Sequence, residues 1–169
     1  MQNLSAVWVC LKIWYRKLQA SKEDVSITHR TAVIMCSDNG IVSEGVSQSD
    51  SRVTAQVAKE IAAGRSSVNM LANQFSTEIL TVDIGIDSDI YCSNIINKKI
   101  AYGTRSIAKG PAMDPSQARK AISNGIEIVY DLCRNGTDII ITGEMGIGNT
   151  TTSAAIASVI LGIPAEITT

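Results

Sequence analysis

The chain has 169 residues, of which 45% are hydrophobic, 18% charged and 4% aromatic, and its net charge is −1. That length builds one sizeable core rather than two, and the near-neutral balance gives no electrostatic reason for nucleic acid or a membrane surface as partner. The N-terminus stands apart, because residues 1–22 carry Lys12, Arg16, Lys17 and Lys22 with no acid, and Trp8, Trp14 and Tyr15 crowd into the same stretch.

The first apolar run, Leu4 to Leu11, precedes these bases. A secretory signal has the opposite order, and a membrane span needs ~20 apolar residues. Residues 1–30 are therefore set apart as an N-terminal helical segment, for which Trp8, Leu11, Tyr15 and Leu18 supply one amphipathic face. Strand and helix alternate from residue 31. Thr31-Ala-Val-Ile-Met-Cys36 reads as a buried strand ending in the turn Ser37-Asp38-Asn39-Gly40. Residues 52–63 place Val53, Val57 and Ile61 on one helical face, closed by Gly64. A second helix begins at Ser66 or Ser67 and turns Val68, Leu71, Ala72 and Phe75 inward. Glu78 to Asp83 forms the next strand, and residues 85–100 read as a long excursion.

Asp114-Pro115 supplies an N-cap and a first-turn proline. The helix that follows runs to about Cys133, with Ala118, Ile122, Gly125, Val129 and Leu132 inward. Thr137 to Thr142 is the clearest buried strand in the chain, and a small-residue helix covers Asn149 to Leu161, ended by Gly162 and Pro164. Residues 31–169 thus predict an α/β domain, a Rossmann-like parallel sheet with helices on both faces. The cysteines, Cys10, Cys36, Cys92 and Cys133, show no short pairwise spacing, and Cys36 and Cys133 sit in apolar patterns. Buried reduced thiols in a cytoplasmic protein are expected, rather than zinc or a disulfide framework.

Ligands of open parallel sheets bind beyond the carboxyl ends of the strands. Asp38, Asp83 and Glu144 stand there, each also explicable as a turn former. Glu144 lies within Gly143-Glu-Met-Gly146-Ile-Gly148-Asn149-Thr150-Thr151-Thr152, where glycines let the backbone approach an anion and a helix N-terminus supplies amides and a favourable dipole. A phosphate is the natural guest. A glycine-rich turn with a simple cap has the same pattern, and neither the P-loop ending nor the full dinucleotide fingerprint is present. The guanidinium of Gly103-Thr104-Arg105 suits a phosphate or carboxylate, or plain solvation. His29, the sole histidine, sits among polar residues, and no nucleophile–base arrangement or metal-ligand cluster assembles around it. No metal and no cofactor are expected.

In this order the segments Ser37-Asp38-Asn39-Gly40, Glu44-Gly45-Val46-Ser47, Val53-Thr54-Ala55-Gln56, Ala62 to Ala72, Val82 to Gly85, Gly103-Thr104-Arg105, Gly110 to Met113 and Gly143 to Thr151 resemble the nicotinate-nucleotide:dimethylbenzimidazole phosphoribosyltransferase family of cobalamin biosynthesis. The resemblance runs from residue 31 to 169. It implies transfer of the phosphoribosyl group of nicotinate mononucleotide to 5,6-dimethylbenzimidazole, giving α-ribazole 5′-phosphate and nicotinate. It also implies a homodimer for the full-length family. By position, Gly146, Gly148, Asn149, Thr150 and Thr151 belong to the nucleotide side with Glu144 beside them. Ser47 and Gln56 belong near a flat apolar benzimidazole slot, with Asp38, Thr104 and Arg105 as further substrate contacts. Asn39 departs from the family, which usually has His there, and Asp50 and Arg52 stand where Pro and Glu are common.

Family members run to about twice this length, so the resemblance implies an N-terminal half. The glutamate that serves as general base, a nearby lysine and further strands are expected in the other half. The 169 residues alone are then expected to be inactive and to associate. The family also begins with Lys-Pro-x-Gly-Ser-Leu-Gly and an amphipathic helix, which residues 2–23 lack as written. Allowed codons in a shifted frame permit that segment, so a frame shift restored before Val33 is the expected origin of this stretch. The alternative function is a non-catalytic nucleotide- or phosphate-binding α/β module. An unrelated doubly wound enzyme sharing one glycine-rich turn ranks last.

Overall fold

A computed structural model describes residues 27–168. The N-terminal segment expected over 1–30, with Cys10 and the shifted-frame stretch, falls almost wholly outside the described residues. Four strands make one parallel sheet in the order β3-β2-β1-β4. They are β1 (Arg30–Ser37), β2 (Thr77–Gly85), β3 (Ile95–Asn97) and β4 (Ile139–Met145). The helices are α1 (Arg52–Ala62), α2 (Ser67–Gln74), α3 (Pro115–Arg134), α4 (Asn149–Leu161) and the single turn α5 (Ala165–Thr168), and a 3-10 turn spans Gly40–Glu44.

The strand β1 pairs with β2 on one side and β4 on the other, and the elements packed on the sheet bury both its faces. Its alternate residues feed two cores. Ala32, Ile34 and Cys36 pack with Ala58 and Ile61 of α1, and Val33 packs with Val82 and Ile128 of α3. Helices therefore cover both faces, as the alternation predicts. The excursion at 85–100 contains β3, three residues too short to announce themselves by pattern, which adds an edge strand to β2.

Several inward faces differ from the expected ones. In α1 the buried line is Thr54, Ala58 and Ile61, while Val53 is exposed. Close approach to the sheet selects small side chains there, which a hydrophobicity pattern does not favour. In α2 Asn69 and Ala72 point inward, and Leu71 and Phe75 are exposed. Asn69 fixes this rotation: its Oδ1 accepts from the Ser66 amide at 3.1 Å and its Nδ2 donates to Ile61 O at 3.1 Å. In α3 Asn124 and Ile128 are buried while Ile122 and Val129 are exposed. Here Asn124 Nδ2 donates to Lys98 O at 2.9 Å. β4, the clearest buried strand by sequence, is instead the sheet's edge, with Ile141 exposed. An apolar run reports what a strand wants to cover, not which neighbour is present.

Cys36 is buried as expected, whereas Cys133, expected inside, is exposed near the end of α3. Burial, helped by the carboxylates of Asp83 and Glu144, pushes the Cys36 thiol up to about 12. It stays protonated at neutral pH and offers no thiolate nucleophile.

Entry into the sheet is held by Asp138. Its Oδ2 accepts from the Thr28 amide at 2.8 Å, the His29 amide at 2.9 Å and the Thr28 hydroxyl at 3.0 Å. The His29 amide first, then the Thr28 amide and hydroxyl, hold this carboxyl below its usual range. A depressed carboxyl contributes stability above its unfolded value of ~3.9, and that contribution vanishes as pH falls through the lower folded value. Thermal melts of wild type and Asp138→Ala should therefore be well separated at pH 7 and converge as the pH falls below about 4. A gap independent of pH would show that the carboxylate does not act through its charge.

Candidate functional site

The chain leaves β1 toward β2 and β3, then returns through α3 to place β4 on the opposite side of β1. The strand order thus reverses between β1 and β4, and the crevice beyond their carboxyl ends is where open α/β sheets bind ligands. Two loops meet there, Asp38-Asn39-Gly40 after β1 and Gly146-Ile147-Gly148 after β4.

Their contact is backbone against backbone. A Cβ on Gly146 would lie 2.0 Å from Ser37 O, and on the other side of the β1 loop one on Gly40 would lie 2.3 Å from Thr104 O in a third segment. Gly148 adopts φ +83° as it enters α4, a conformation open to glycine without strain. Side chains add to the join. Asn39 Nδ2 donates to Ile147 O at 3.0 Å, and Asn39 Oδ1 accepts from the Thr152 hydroxyl at 3.3 Å. From α1, buried Thr54 accepts the Ile147 amide at 3.1 Å.

At the start of α4 the Asn149 amide donates to Gly146 O at 3.0 Å and the Thr150 amide donates to Asn149 Oδ1 at 2.9 Å. The amides of Gly148 and Thr151 have no acceptor among the described residues. With the exposed Thr150 and half-buried Thr151 hydroxyls they form the donor group expected of an anion cradle. Glu144 is exposed beside it, its Oε1 accepting from Asn149 Nδ2.

The remaining candidates divide. Asp38 is buried at the crevice floor; its Oδ2 accepts from the Asp87 amide at 2.7 Å, and its Oδ1 has no partner among the described residues. Thr104 Oγ1 accepts the Gly40 amide at 3.1 Å, so it braces the β1 loop. Arg105 turns away, donating to Pro111 O at 3.0 Å and to Asp114 Oδ1 at 2.8 Å. Ser47 lines a polar cavity of about 470 Å³ shared with Asp38, Asp50, Asp87 and Thr104. Gln56 lies on the exposed face of α1, its amide donating to Glu60 Oε1 at 3.0 Å. The structure thus brings together Asp38, Ser47 and Thr104 on one side of Asn39 and Glu144 to Thr151 on the other, and leaves Arg105 and Gln56 outside both groups.

An apolar cleft of about 510 Å³ opens on the α4 side of Asn39, walled by Ile107, Met113, Ala155, Ile156 and Val159. Its lining is apolar, whereas the cavity beside Ser47 is lined mostly by polar side chains. Asn39 and Thr104 border both cavities. Asp83 does not join the site, since it accepts from the Gly85 and Ile86 amides and pairs with Lys99 Nζ at 2.9 Å. His29 lies at the far end of the sheet, before β1. Among the described residues no group of His, Cys, Asp or Glu converges on a metal position, and no helix is long and apolar enough to cross a membrane.

Similarity to known proteins decides the family of the chain. The family model described as phosphoribosyltransferase matches residues 9–169. The chain belongs to that phosphoribosyltransferase family. A nicotinate-nucleotide–dimethylbenzimidazole phosphoribosyltransferase from Ruminiclostridium cellulolyticum is 48% identical over 136 residues, 80% of this chain and 39% of the relative. One of the same name from Acetivibrio thermocellus is 44% identical over 140 residues, 83% of this chain and 40% of the relative. The crystal structure of CobT from Thermus thermophilus superposes with a TM-score of 0.83 at 29% identity, covering 87% of this chain and 44% of that one. The chain therefore spans about two fifths of the length of the curated relatives it matches. At that TM-score the parallel sheet and the helices that cover it form a scaffold shared by this phosphoribosyltransferase chain and the Thermus protein.

Neither Asn39 nor Thr54 announces its part in the crevice by sequence. A threonine inside a helix and an asparagine in a turn have ordinary local explanations, and only the fold brings both to Ile147.

Proposed function

We propose that the chain carries the nucleotide side of a phosphoribosyl transfer from nicotinate mononucleotide to 5,6-dimethylbenzimidazole, yielding α-ribazole 5′-phosphate and nicotinate. The observation that carries the reading is the start of α4, where the Gly148 and Thr151 amides lie free at the switch point of the sheet. The names of the relatives give the substrates. The 5′-phosphate would take the amides and the helix dipole. The pyridinium of the donor is already a good leaving group, so the reaction needs an acceptor nitrogen aligned behind the anomeric carbon and a base for its proton. Glu144, oriented by Asn149, is the carboxylate beside the cradle. A dedicated general base, and assembly as a homodimer, belong to the longer enzyme in this reading, and the free cysteines support a reducing, cytoplasmic setting.

The test uses a chimera. The matching 136-residue segment of the Ruminiclostridium relative is replaced by this chain's own, and nicotinate release is followed with and without dimethylbenzimidazole. Release that requires the benzimidazole is expected. A folded chimera that binds nicotinate mononucleotide without turnover would favour the non-catalytic binding module instead.

A further inference from the structure

We infer that Asn39 and Thr54 are positioning residues, which clamp the two peptide planes flanking Ile147 and so aim the Gly148 amide for an anion. The inference rests on the nucleotide reading above for the identity of that anion, but not for the clamp itself.

A trans peptide is planar, with its C=O and N–H pointing in opposite directions. Ile147 O and the Gly148 N–H share one such plane. When Asn39 Nδ2 grips Ile147 O at 3.0 Å, the Gly148 N–H must point away from Asn39. Gly146 O and the Ile147 N–H share the preceding plane. Thr54 holds that N–H at 3.1 Å, which turns Gly146 O toward the Asn149 amide, 3.0 Å away. Both planes are thus fixed by side chains from other elements, one from the β1 loop and one from α1.

The clamp answers a specific weakness. Ile147 stands between two glycines, and peptides next to glycine rotate with little steric penalty. A flip of the Ile147–Gly148 plane would withdraw a donor from the helix entrance and present a carbonyl oxygen to the anion instead. A flip of the preceding plane would take Gly146 O away from the Asn149 amide. Thr54 is fully buried, so no water competes for the Ile147 amide that its Oγ1 accepts. Asn39 is anchored in turn, since its Oδ1 accepts from Thr152 of α4 at 3.3 Å. The helix that carries the free amides therefore also holds the residue that orients them.

Hydrogen exchange on the 169-residue chain reads the clamp without ligand. Thr54→Val, which keeps the shape and removes the acceptor, should speed exchange of the Ile147 amide roughly tenfold, while amides of β1 and β2 keep their protection. Asn39→Ala frees the Ile147–Gly148 plane, whose amide has no acceptor to lose among the described residues, so it should leave Ile147 exchange near wild type and is read by titration. Thr54→Ala stands in if the valine variant does not fold. Thr54→Ser should restore wild-type exchange. Titration with nicotinate mononucleotide reads the aim: dissociation constants should rise roughly tenfold for Thr54→Val and Asn39→Ala and stay near wild type for Thr54→Ser. Wild-type exchange of the Ile147 amide in Thr54→Val overturns the clamp, and so does a serine variant as impaired as the valine. Unchanged affinity in Asn39→Ala overturns the part given to Asn39. Faster exchange with unchanged affinity overturns the positioning role. A wild-type chain that shows the exchange effects yet does not bind the nucleotide overturns the functional reading and leaves the clamp standing.

Discussion

Gly146→Ala is expected to destabilise the chain by about 3 kcal/mol, the upper end of what overpacking costs, and to abolish the proposed nucleotide binding with it. The added methyl would lie 2.0 Å from Ser37 O, 3.0 Å from Asn39 Nδ2 and 3.2 Å from the Ser37 carbonyl carbon. Ser37 ends β1, which is hydrogen-bonded on both sides, so its carbonyl cannot retreat without breaking a central strand. The loop must move instead, carrying Ile147 away from Thr54 and Asn39 together.

Gly148→Ala provides the contrast. Its φ of +83° penalises any side chain by roughly 1–2 kcal/mol. The nearest obstacle is Val42 Cγ2 at 2.8 Å, the end of a rotatable side chain. Urea unfolding of the two variants should place Gly146→Ala as the more damaging, although only Gly148 has a positive φ. Equal stability losses would mean that the loops after β1 and β4 separate easily, and that the crevice is not the rigid junction described above.

Strand–helix alternation and the capping signals at Asp114-Pro115 and Gly148-Asn149 locate the main elements from sequence, because periodicity and caps are local properties. The span of α4, from Asn149 to Leu161, is legible for that reason. Inward faces are less so. In α1, α2 and α3 a polar side chain, Thr54, Asn69 or Asn124, occupies the buried line where the pattern favours an apolar one. Each makes a hydrogen bond to a segment outside its own helix, and no pattern within a helix encodes a partner outside it. The same limit applies to the crevice. Gly146, Gly148 and Asn149 are visible as a motif, whereas the join through Asn39 depends on strand order. The position of β4 at the edge is invisible too, since its composition is that of a central strand.

The second large effect lies at Asp83, which by sequence alone suits a ligand contact or a turn former equally. Lys99 and Asp83 have side chains only 12% and 3% exposed. Asp83 Oδ1 accepts from the Gly85 amide at 3.1 Å and the Ile86 amide at 2.9 Å, and the ammonium of Lys99 also reaches Ile86 O and Ser88 O, the latter at 3.1 Å. Removing one partner of a buried pair strands the other, which typically costs about 3–5 kcal/mol. The two removals are not equivalent. Asp83→Ala orphans two amides and leaves a buried ammonium with carbonyl oxygens alone, so the full ~3–5 kcal/mol is expected. Lys99→Met leaves a carboxylate that still accepts two amides, and a loss of ~2 kcal/mol, the scale of one charged hydrogen bond, is expected. The double variant should be more stable than the sum of the two losses predicts, because the stranded ammonium is gone. Urea denaturation of all four proteins measures this. Additive losses, or an Asp83→Ala variant no weaker than Lys99→Met, would show that the carboxylate does not organise the β2 end. Because Asp38 accepts the Asp87 amide just beyond this turn, loosening it should also disturb the crevice floor, so that a residue outside the site governs its shape.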